Sequence, residues 1–384
     1  MKSRSMAIMV LSALLLTGLP ATAAATGVAP GGPGATSYFD LARKDCVGTA
    51  TGTGSKVWYT VAGGVLSDVY EPTIDNTNVN TLQYVVTDGH FTDLQTRDLT
   101  YTVAADRTGM ACTVTATSAA HGYQLITTYV TDPGRDTVLL HTELRANHAD
   151  TRTLHVYARL DAHVNGNGGG GSANGGADTG VVASGVPVVS DTSTVSQAAN
   201  RDYAVPTYMA LASNGHGAAG VGYAGTASDG LTALDATHTL GTTYDSAPNG
   251  HIVTVSDVTP RHGGSIDLAL GFGRTQQGAL GAAGTSLSRP FEQTREKYEH
   301  GWQAYDSTLR RPTSLTRTYY LSANVLKASE DKTFPGAIVA SLASPWGQAV
   351  NAGMLVGGRP VYFGSYREVF SRDQYEVFTG LLTD

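Results

Sequence analysis

One pair of neighbouring side chains has the chemistry to transfer a proton. Asp161 and His163 are separated by a single alanine, and a histidine with a carboxylate partner is a common arrangement for general acid–base catalysis. The same pair also occurs where a buried histidine is held by an ordinary hydrogen bond. The sequence favours this structural histidine, and it leaves open an enzyme that exchanges sugar anomers at His163.

A glycine-rich segment follows this pair directly. It runs from Asn165 to Gly176 and could be compared with the loops that bind phosphate. A phosphate loop needs a helix immediately after its glycines, whereas Val181 and Val182 are typical of a strand. We therefore interpret the segment as a surface loop.

The cysteines and the acidic stretches give limited information on metals. Cys46 and Cys112 are the two cysteines of the chain, so they form either a single disulfide or two buried thiols. No CxxC motif supports zinc. The acidic stretch from Asp88 to Asp98 lacks the Asp-x-Asp-x-Asp-Gly spacing of a calcium loop. We predict no cofactor and assign no metal site, although calcium stays an open question.

The composition excludes several classes of function. Of 384 residues, 15% are charged and 41% are hydrophobic, and the net charge is −7. A protein that binds nucleic acid needs a basic surface for the phosphates, and this chain has no run of Lys or Arg. Few charges, 46 glycines and 19 tyrosines are typical of a β-rich extracellular protein.

The N-terminus has the pattern of a secretory signal peptide. Lys2 and Arg4 are followed by an apolar run from Met6 to Leu19, and small residues at 21–25 give the cleavage pattern. We predict a signal peptide over residues 1–25, a disordered lead over 26–36, and a secreted protein with no membrane contact after cleavage.

Alternating and β-branched runs predict a large antiparallel β domain over residues 37–287. The runs recur without a predicted helix between them, so the strands should pair in antiparallel fashion. A single open sheet of a dozen strands is improbable, and we predict a sandwich of two sheets. The predicted strands include residues 57–61, 83–87, 123–130, 137–144, 153–160, 181–189, 208–212, 252–258 and 265–271.

After residue 287 the pattern becomes helical. Ser288 could cap a helix of about 20 residues that extends to Leu309, and this linker would occupy residues 288–315. A second helix is predicted from Thr316 to Ser329, with Tyr319, Tyr320 and Val325 on its apolar face. A third begins near Ser371 or Arg372. Residues 316–384 therefore open a helical domain.

Three stretches of the chain resemble a known family. They are residues 55–76 with 93–98, then Leu160–His163, then residues 328–340 followed by Pro345-Trp346-Gly347 and 366–373. In this order they resemble the N-terminal portion of bacterial glucoamylases and glucodextranases, glycoside hydrolase family fifteen. The resemblance implies a β super-sandwich and a helical linker, followed by an (α/α)6 barrel that removes glucose from the non-reducing ends of α-glucans with inversion.

The resemblance also assigns residues that bind sugar. Arg372 and Asp373 match the pair that hydrogen-bonds the hydroxyls of the terminal glucose, and an Arg fork beside a carboxylate suits that task. Tyr366 matches an aromatic of the same site, and Phe370 stands where relatives have Trp. Trp346 is a further candidate. Without the resemblance, Arg372 and Asp373 could be an ion pair at a helix start.

The catalytic acid and base are expected beyond Asp384, the last residue of this chain. Inverting hydrolysis needs two carboxyl groups about 6.5–9.5 Å apart, and in the family both lie well inside the barrel. Twelve helices of about 11 residues with their loops need well over 200 residues, whereas about 70 follow Pro312. We therefore expect a truncated barrel, no catalytic residue, and a chain that is inactive alone.

The leading hypothesis is thus a portion of a secreted exo-acting α-glucan hydrolase, with an α-glucan as its partner. The alternative is a β-sandwich module that binds carbohydrate or serves as a scaffold without chemistry. The sequence does not separate α-1,4 from α-1,6 preference, and it does not determine the oligomeric state.

Overall fold

The computed structural model describes residues 27–36, 44–146, 153–166, 178–192, 205–215, 217–260, 264–342, 355–356, 359–360 and 369–383. Most of these residues lie in strands. In chain order the strands are β1 (Cys46–Thr49), β2 (Trp58–Ala62), β3 (Val65–Tyr70), β4 (Val79–Thr87), β5 (Thr92–Leu94), β6 (Thr100–Ala105), β7 (Cys112–Ser118), β8 (Tyr123–Thr131), β9 (Thr137–Ala146), β10 (His155–Ala162), β11 (Asp178–Ala183), β12 (Val186–Asp191), β13 (Thr207–Ser213), β14 (Ala219–Tyr223), β15 (Ser246–Gly250), β16 (Ile252–Asp257), β17 (Ile266–Gly273), β18 (Leu355–Val356) and β19 (Arg359–Pro360).

The strands form two large antiparallel sheets. The first has eight strands in the order β1-β2-β3-β4-β10-β16-β14, with β5 paired to β4. The second has nine strands in the order β15-β11-β12-β13-β17-β9-β8-β7-β6. Their facing sides share one apolar core, to which Tyr59, Leu82, Leu125, Leu140 and Leu270 contribute. The predicted fold class, a large antiparallel β-sandwich, is confirmed.

Six α-helices and one short 3-10 helix, Val164–Gly166, occur among the described residues. The α-helices are named in chain order. They are α1 (Gln95–Asp98), α2 (Gly230–Thr237), α3 (Gln276–Leu287), α4 (Phe291–Asp306), α5 (Thr316–Ala328) and α6 (Ser371–Thr383). None of them is both long enough and apolar enough to cross a membrane.

The prediction of strands without helices between them was wrong at α1 and α2. The helix α2 is capped by Asp229, whose carboxylate accepts a hydrogen bond from the backbone N–H of Leu231. Its buried Leu234 packs on the outer side of the first sheet, against Val85 and Val255. An eight-residue helix with one buried leucine gives little periodic signal, which is why the sequence pattern did not reveal it.

Helix α3 lies inside the region predicted as β structure. It packs on the outer face of the second sheet through Ala279 and Ala283. The sheet allows this close approach because Gly271 faces the helix, and a Cβ on Gly271 would come within 2.4 Å of the Ala283 nitrogen. Both surfaces are made of small residues, so the helix has no large apolar stripe.

Three further details differ from the predictions. Residues 181–189 form two strands with a turn at Ser184 and Gly185, and both of these residues have positive φ. Ser288 ends α3 and does not cap α4, which begins at Phe291 and ends at Asp306. Val325 is 38% exposed, because α5 buries Ala323, Asn324 and Ala328 instead.

Candidate functional site

Helix α4 is fixed to one edge of the sandwich by two buried aromatic side chains. The indole N–H of Trp302 donates to the backbone carbonyl of Thr49 at 2.8 Å, and the hydroxyl of Tyr298 donates to the carbonyl of Met110 at 2.7 Å. Both side chains are almost completely buried. This contact directs the chain towards α5 along the same edge.

The last residue of α5 and the segment after it also lie on the sandwich, and we call residues 328–339 the strap. The indole N–H of Trp58 donates to the carbonyl of Ala328 at 2.9 Å. Asp331 accepts hydrogen bonds from the backbone N–H groups of Ile74 at 2.9 Å and of Thr333 and Phe334 at 2.7 Å each. Because its carboxylate joins strap and sandwich, Asp331 fixes their relative position.

Lys332 belongs to the strap, and its side chain contacts the sandwich. Its ammonium group donates to the carbonyl of Ser55 at 2.9 Å and to the hydroxyl of Thr49. It also lies 4.9 Å from the centre of the Trp58 ring. Burial lowers the pKa of Lys332 to about 7, despite the neighbouring carboxylates of Asp136 and Asp331.

Helix α6 is attached to the strap through Gln374. The side-chain amide donates to the carbonyl of Gly336 at 2.9 Å, and its oxygen accepts from the backbone N–H of Ile338 at 3.3 Å. The start of α6 is therefore held next to the strap, which in turn is held to the sandwich.

A cleft of about 460 Å³ lies between these three elements. The sandwich contributes the turn at residues 72–76 and Val205, the strap contributes Asp331, Phe334, Ala337 and Val339, and Val369 closes the side next to α6. Its volume falls within the range of small-molecule sites, about 300–1,000 Å³.

The structure places three of the predicted sugar-binding residues together beside this cleft. Phe370, Arg372 and Asp373 follow Val369 directly, at the start of α6. Arg372 is largely exposed and donates to the carboxylate of Asp373 at 3.0 Å, and Phe370 is 40% exposed. The three residues are therefore close together in the chain at the start of α6, and Arg372 and Asp373 are in direct contact.

Three other positions named from the sequence lie outside the described residues. Trp346 and Tyr366, the two remaining candidates for sugar contact, are among them, and so is Asp384. The described part of α6 ends at Thr383. The catalytic acid and base, expected beyond Asp384, therefore stay a prediction, as do the roles of Trp346 and Tyr366.

The Arg372–Asp373 pair has a geometry that suits both interpretations given above. The carboxylate in the first turn of α6 is favourable for the helix dipole, so the pair stabilises the helix start. The exposed guanidinium also keeps most of its donors free for solvent or ligand. The Arg372 side chain is open to solvent, and the Asp373 side chain is partly exposed.

Asp161 and His163 take part in the interior of the sandwich. His163 is fully buried, and its backbone N–H donates to the carbonyl of Asn78 at 3.0 Å. Asp161 accepts from His251 at 2.7 Å and from Arg159 at 3.3 Å. Burial alone raises the pKa of Asp161, but His251 and Arg159 together hold it well below its usual range. This arrangement agrees with the structural histidine.

Cys46 and Cys112 form a disulfide bond, with their Cα atoms 6.4 Å apart. The bond joins β1 of the first sheet to β7 of the second. Within the part of the chain that the structure describes, no group of three or more His, Cys, Asp or Glu side chains is arranged to hold a metal ion.

A family model described as glucodextranase, domain N, matches residues 29–307. This range includes both sheets and helices α1 to α4. The chain belongs to the glucodextranase domain N family. The resemblance noted in the sequence is therefore confirmed over the sandwich.

Two relatives extend the comparison beyond the domain N region. A glucoamylase from Clostridium sp. (strain G0005) is 30% identical over 351 residues, which is 90% of this chain and 46% of the relative. A crystal structure of a bacterial glucoamylase complexed with acarbose has a TM-score of 0.78 and 27% identity, over 94% of this chain and 52% of that one. The chain thus spans about half the length of both relatives.

The sequence did not indicate the cleft or the residues that hold it. Asp331 and Lys332 belong to one of the stretches that carry the resemblance, but their contacts depend on Ile74 and Ser55, more than 200 residues earlier. Gln374 gave no signal beyond its place in a predicted helix.

Proposed function

We propose that this chain supplies the sandwich and part of the sugar-binding site of a secreted α-glucan hydrolase. In this proposal the whole enzyme releases glucose from non-reducing ends with inversion. The observation that carries it is the exposed Arg372–Asp373 pair beside Phe370, at the positions that bind the terminal glucose in the resembling family. The two glucoamylase relatives support the hydrolase class.

Each of these side chains would have a separate task. The guanidinium of Arg372 would donate to two adjacent hydroxyl oxygens of the sugar, and the carboxylate of Asp373 would accept from a hydroxyl. Phe370 would provide an apolar surface for the C–H face of the ring. Phe370 lacks the indole N–H of the usual Trp, so it contributes packing without a hydrogen bond.

The proposal places both catalytic carboxylates beyond Asp384, in the part of the relatives that this chain does not span. One carboxyl group would protonate the glycosidic oxygen, and the other would activate a water molecule on the opposite face of the sugar. Residues 316–384 would then form the start of the barrel, and the 384-residue chain alone would not release glucose.

Export is part of the same proposal. The predicted signal peptide at residues 1–25 lies outside the described residues, and the Cys46–Cys112 bond supports an oxidising destination. N-terminal sequencing of the protein secreted by the source cells should show a start shortly after residue 23.

The decisive experiment isolates the natural protein with an antibody against the sandwich and measures its intact mass and its glucose release from maltooligosaccharides. We expect a mass well above 39.9 kDa and release of glucose with inverted configuration. A natural product of 39.9 kDa or slightly less without hydrolysis would favour the binding module instead. Release by the pure 384-residue chain would contradict the proposed location of the carboxylates.

Substitution of the pair then tests the sugar-binding role in the natural protein. Arg372→Ala should lower kcat/KM by about 30- to 150-fold, because a charge-assisted hydrogen bond contributes about 2–3 kcal/mol. Arg372→Lys should recover little, since the fork is lost. Arg317→Ala, an exposed arginine on α5, is the matched control and should leave kcat/KM unchanged.

A further inference from the structure

The cleft at the junction of sandwich, strap and α6 has no assigned role. We propose that it binds the glucose residues that follow the terminal one in a neutral α-glucan chain. This inference rests on the proposed function and adds a second binding site to it, made largely by the sandwich and the strap. Val369 lines the cleft and immediately precedes Phe370, so the cleft lies next to the segment that is proposed to contact the terminal glucose.

The walls of the cleft are fixed before any ligand binds. Asp331 joins the sandwich turn to the strap through hydrogen bonds to the N–H groups of Ile74 and Phe334. Gln374 joins the strap to α6 at Gly336 and Ile338. A site with walls held in this way loses little entropy on binding.

The lining has the mixed character that a sugar requires. Phe334 is 62% exposed and Val369 is 46% exposed, and with Pro72 they give the apolar surfaces against which the C–H face of a pyranose ring packs. Thr73 and Asp75 also line the cleft and are partly exposed. Polar side chains of this kind can form hydrogen bonds with the hydroxyl groups of a sugar.

The charges of the cleft disfavour an anionic ligand. Asp75 and Asp331 are both part of the lining, and the described lining residues include no Lys or Arg. The negative charge of these carboxylates repels an anionic polysaccharide, whereas it does not disfavour glucose units.

Calorimetric titration of the 384-residue chain tests the site. The ligands are maltose, maltotriose and maltohexaose, with the isomaltose series beside them, and a uronic acid oligomer serves as the anionic comparison. We expect affinity for one neutral series to increase at least tenfold with length, which corresponds to about 1.4 kcal/mol. The uronic acid oligomer should not bind.

Two phenylalanine variants test whether the increase of affinity with ligand length arises in the cleft. Phe334→Ala should remove the gain with length, whereas Phe378→Ala should keep it, because Phe378 is similarly exposed but lies on α6 outside the cleft lining. Circular dichroism with a thermal melt verifies that both variants fold.

The outcomes separate this inference from the proposed function. Equal affinity for all lengths in the wild type, or a length gain that survives Phe334→Ala, would overturn the site in the cleft. Glucose release by the natural protein and its loss in Arg372→Ala would still support the proposed function in that case. If the increase of affinity with ligand length is lost in Phe334→Ala and kept in Phe378→Ala, the result supports the binding site in the cleft.

Discussion

Lys332 has surroundings that contrast with its chemistry. A lysine is ordinarily expected at the surface with its ammonium group in water, whereas the ammonium group of Lys332 lies 4.9 Å from the centre of the Trp58 ring. Burial lowers its pKa to about 7, while the carbonyl of Ser55 accepts from it. The folded protein therefore releases this proton near neutral pH, whereas the unfolded chain keeps it until about pH 10.

This difference predicts a pH dependence of stability. Between pH 7 and about pH 10 the unfolded state binds more protons than the folded state, so the free energy of unfolding should rise with pH. The rise should be about 4 kcal/mol, at about 1.4 kcal/mol for each unit between the two pKa values. Lys332→Met keeps the apolar stem and should flatten this rise. Urea unfolding at several pH values measures it.

Lys297→Met is the matched control, since Lys297 is exposed on α4 and should leave the pH profile unchanged. An equal rise in wild type and Lys332→Met would mean that another group causes the dependence.

At the same scale, Arg372, Asp373 and Phe370 were named because the sequence resembles a known family. They lie at or just before the start of α6, and their role in sugar binding stays a prediction. The strap residues could not be assigned, because the partners of Asp331 and Lys332 are brought near only by the folded sandwich. No local pattern encodes a hydrogen bond between Asp331 and Ile74.

At the scale of elements, long runs with clear periodicity were predictable and short or small-residue elements were not. The strands from Tyr123 to Thr131 and from Thr137 to Ala146 lie close to their predicted positions. Helix α3 was missed because Ala279 and Ala283 pack against Gly271. A helix that meets a sheet through small residues has no large apolar stripe to reveal it.

Helix α4 gives a prediction about its attachment to the sandwich. Trp302→Phe should lower the free energy of unfolding by about 2–3 kcal/mol, because the carbonyl of Thr49 loses the indole donor and a cavity forms. Tyr298→Phe should cost less than about 1 kcal/mol, because the hydroxyl of Tyr59 also donates to the Met110 carbonyl, at 2.7 Å.

Guanidinium unfolding of the two variants measures the difference. Gln303→Ala, on the exposed side of the same helix, should have almost no effect. Equal losses for Trp302→Phe and Tyr298→Phe would show that the aromatic packing, and not the unpaired carbonyl, determines the attachment.

At the scale of the whole molecule, the two-sheet architecture followed from the sequence because a dozen alternating runs have few stable arrangements. The order of the strands within each sheet could not be predicted from the sequence. In the first sheet β4 pairs with β10 and β10 with β16, and these pairings depend on which long connections cross the sandwich. The state of the cysteines was also open, since spacing alone does not show which residues meet.

The Cys46–Cys112 bond predicts a stability difference that depends on redox conditions. It closes a loop of 66 residues, and the entropy lost by the unfolded chain corresponds to about 4 kcal/mol. Replacement of both cysteines by alanine should lower the free energy of unfolding by about 3–4 kcal/mol in denaturant titrations.

Reductant provides the comparison for this prediction. Dithiothreitol should destabilise the wild type by a similar amount and should have no effect on the double variant. A wild type that is insensitive to reductant after unfolding and refolding would contradict a stabilising bond.

The hydrogen bonds at the edge of the sandwich have a consequence for the order of assembly. The Trp58 indole meets Ala328, 270 residues later, and the Thr49 carbonyl meets Trp302, 253 residues later. A ribosome that adds about 5–20 residues per second needs roughly 13–54 seconds to bridge the first of these gaps. During that time Trp58 and the Thr49 carbonyl lack these partners, so this edge of the sandwich stays incomplete until residue 328 has been synthesised.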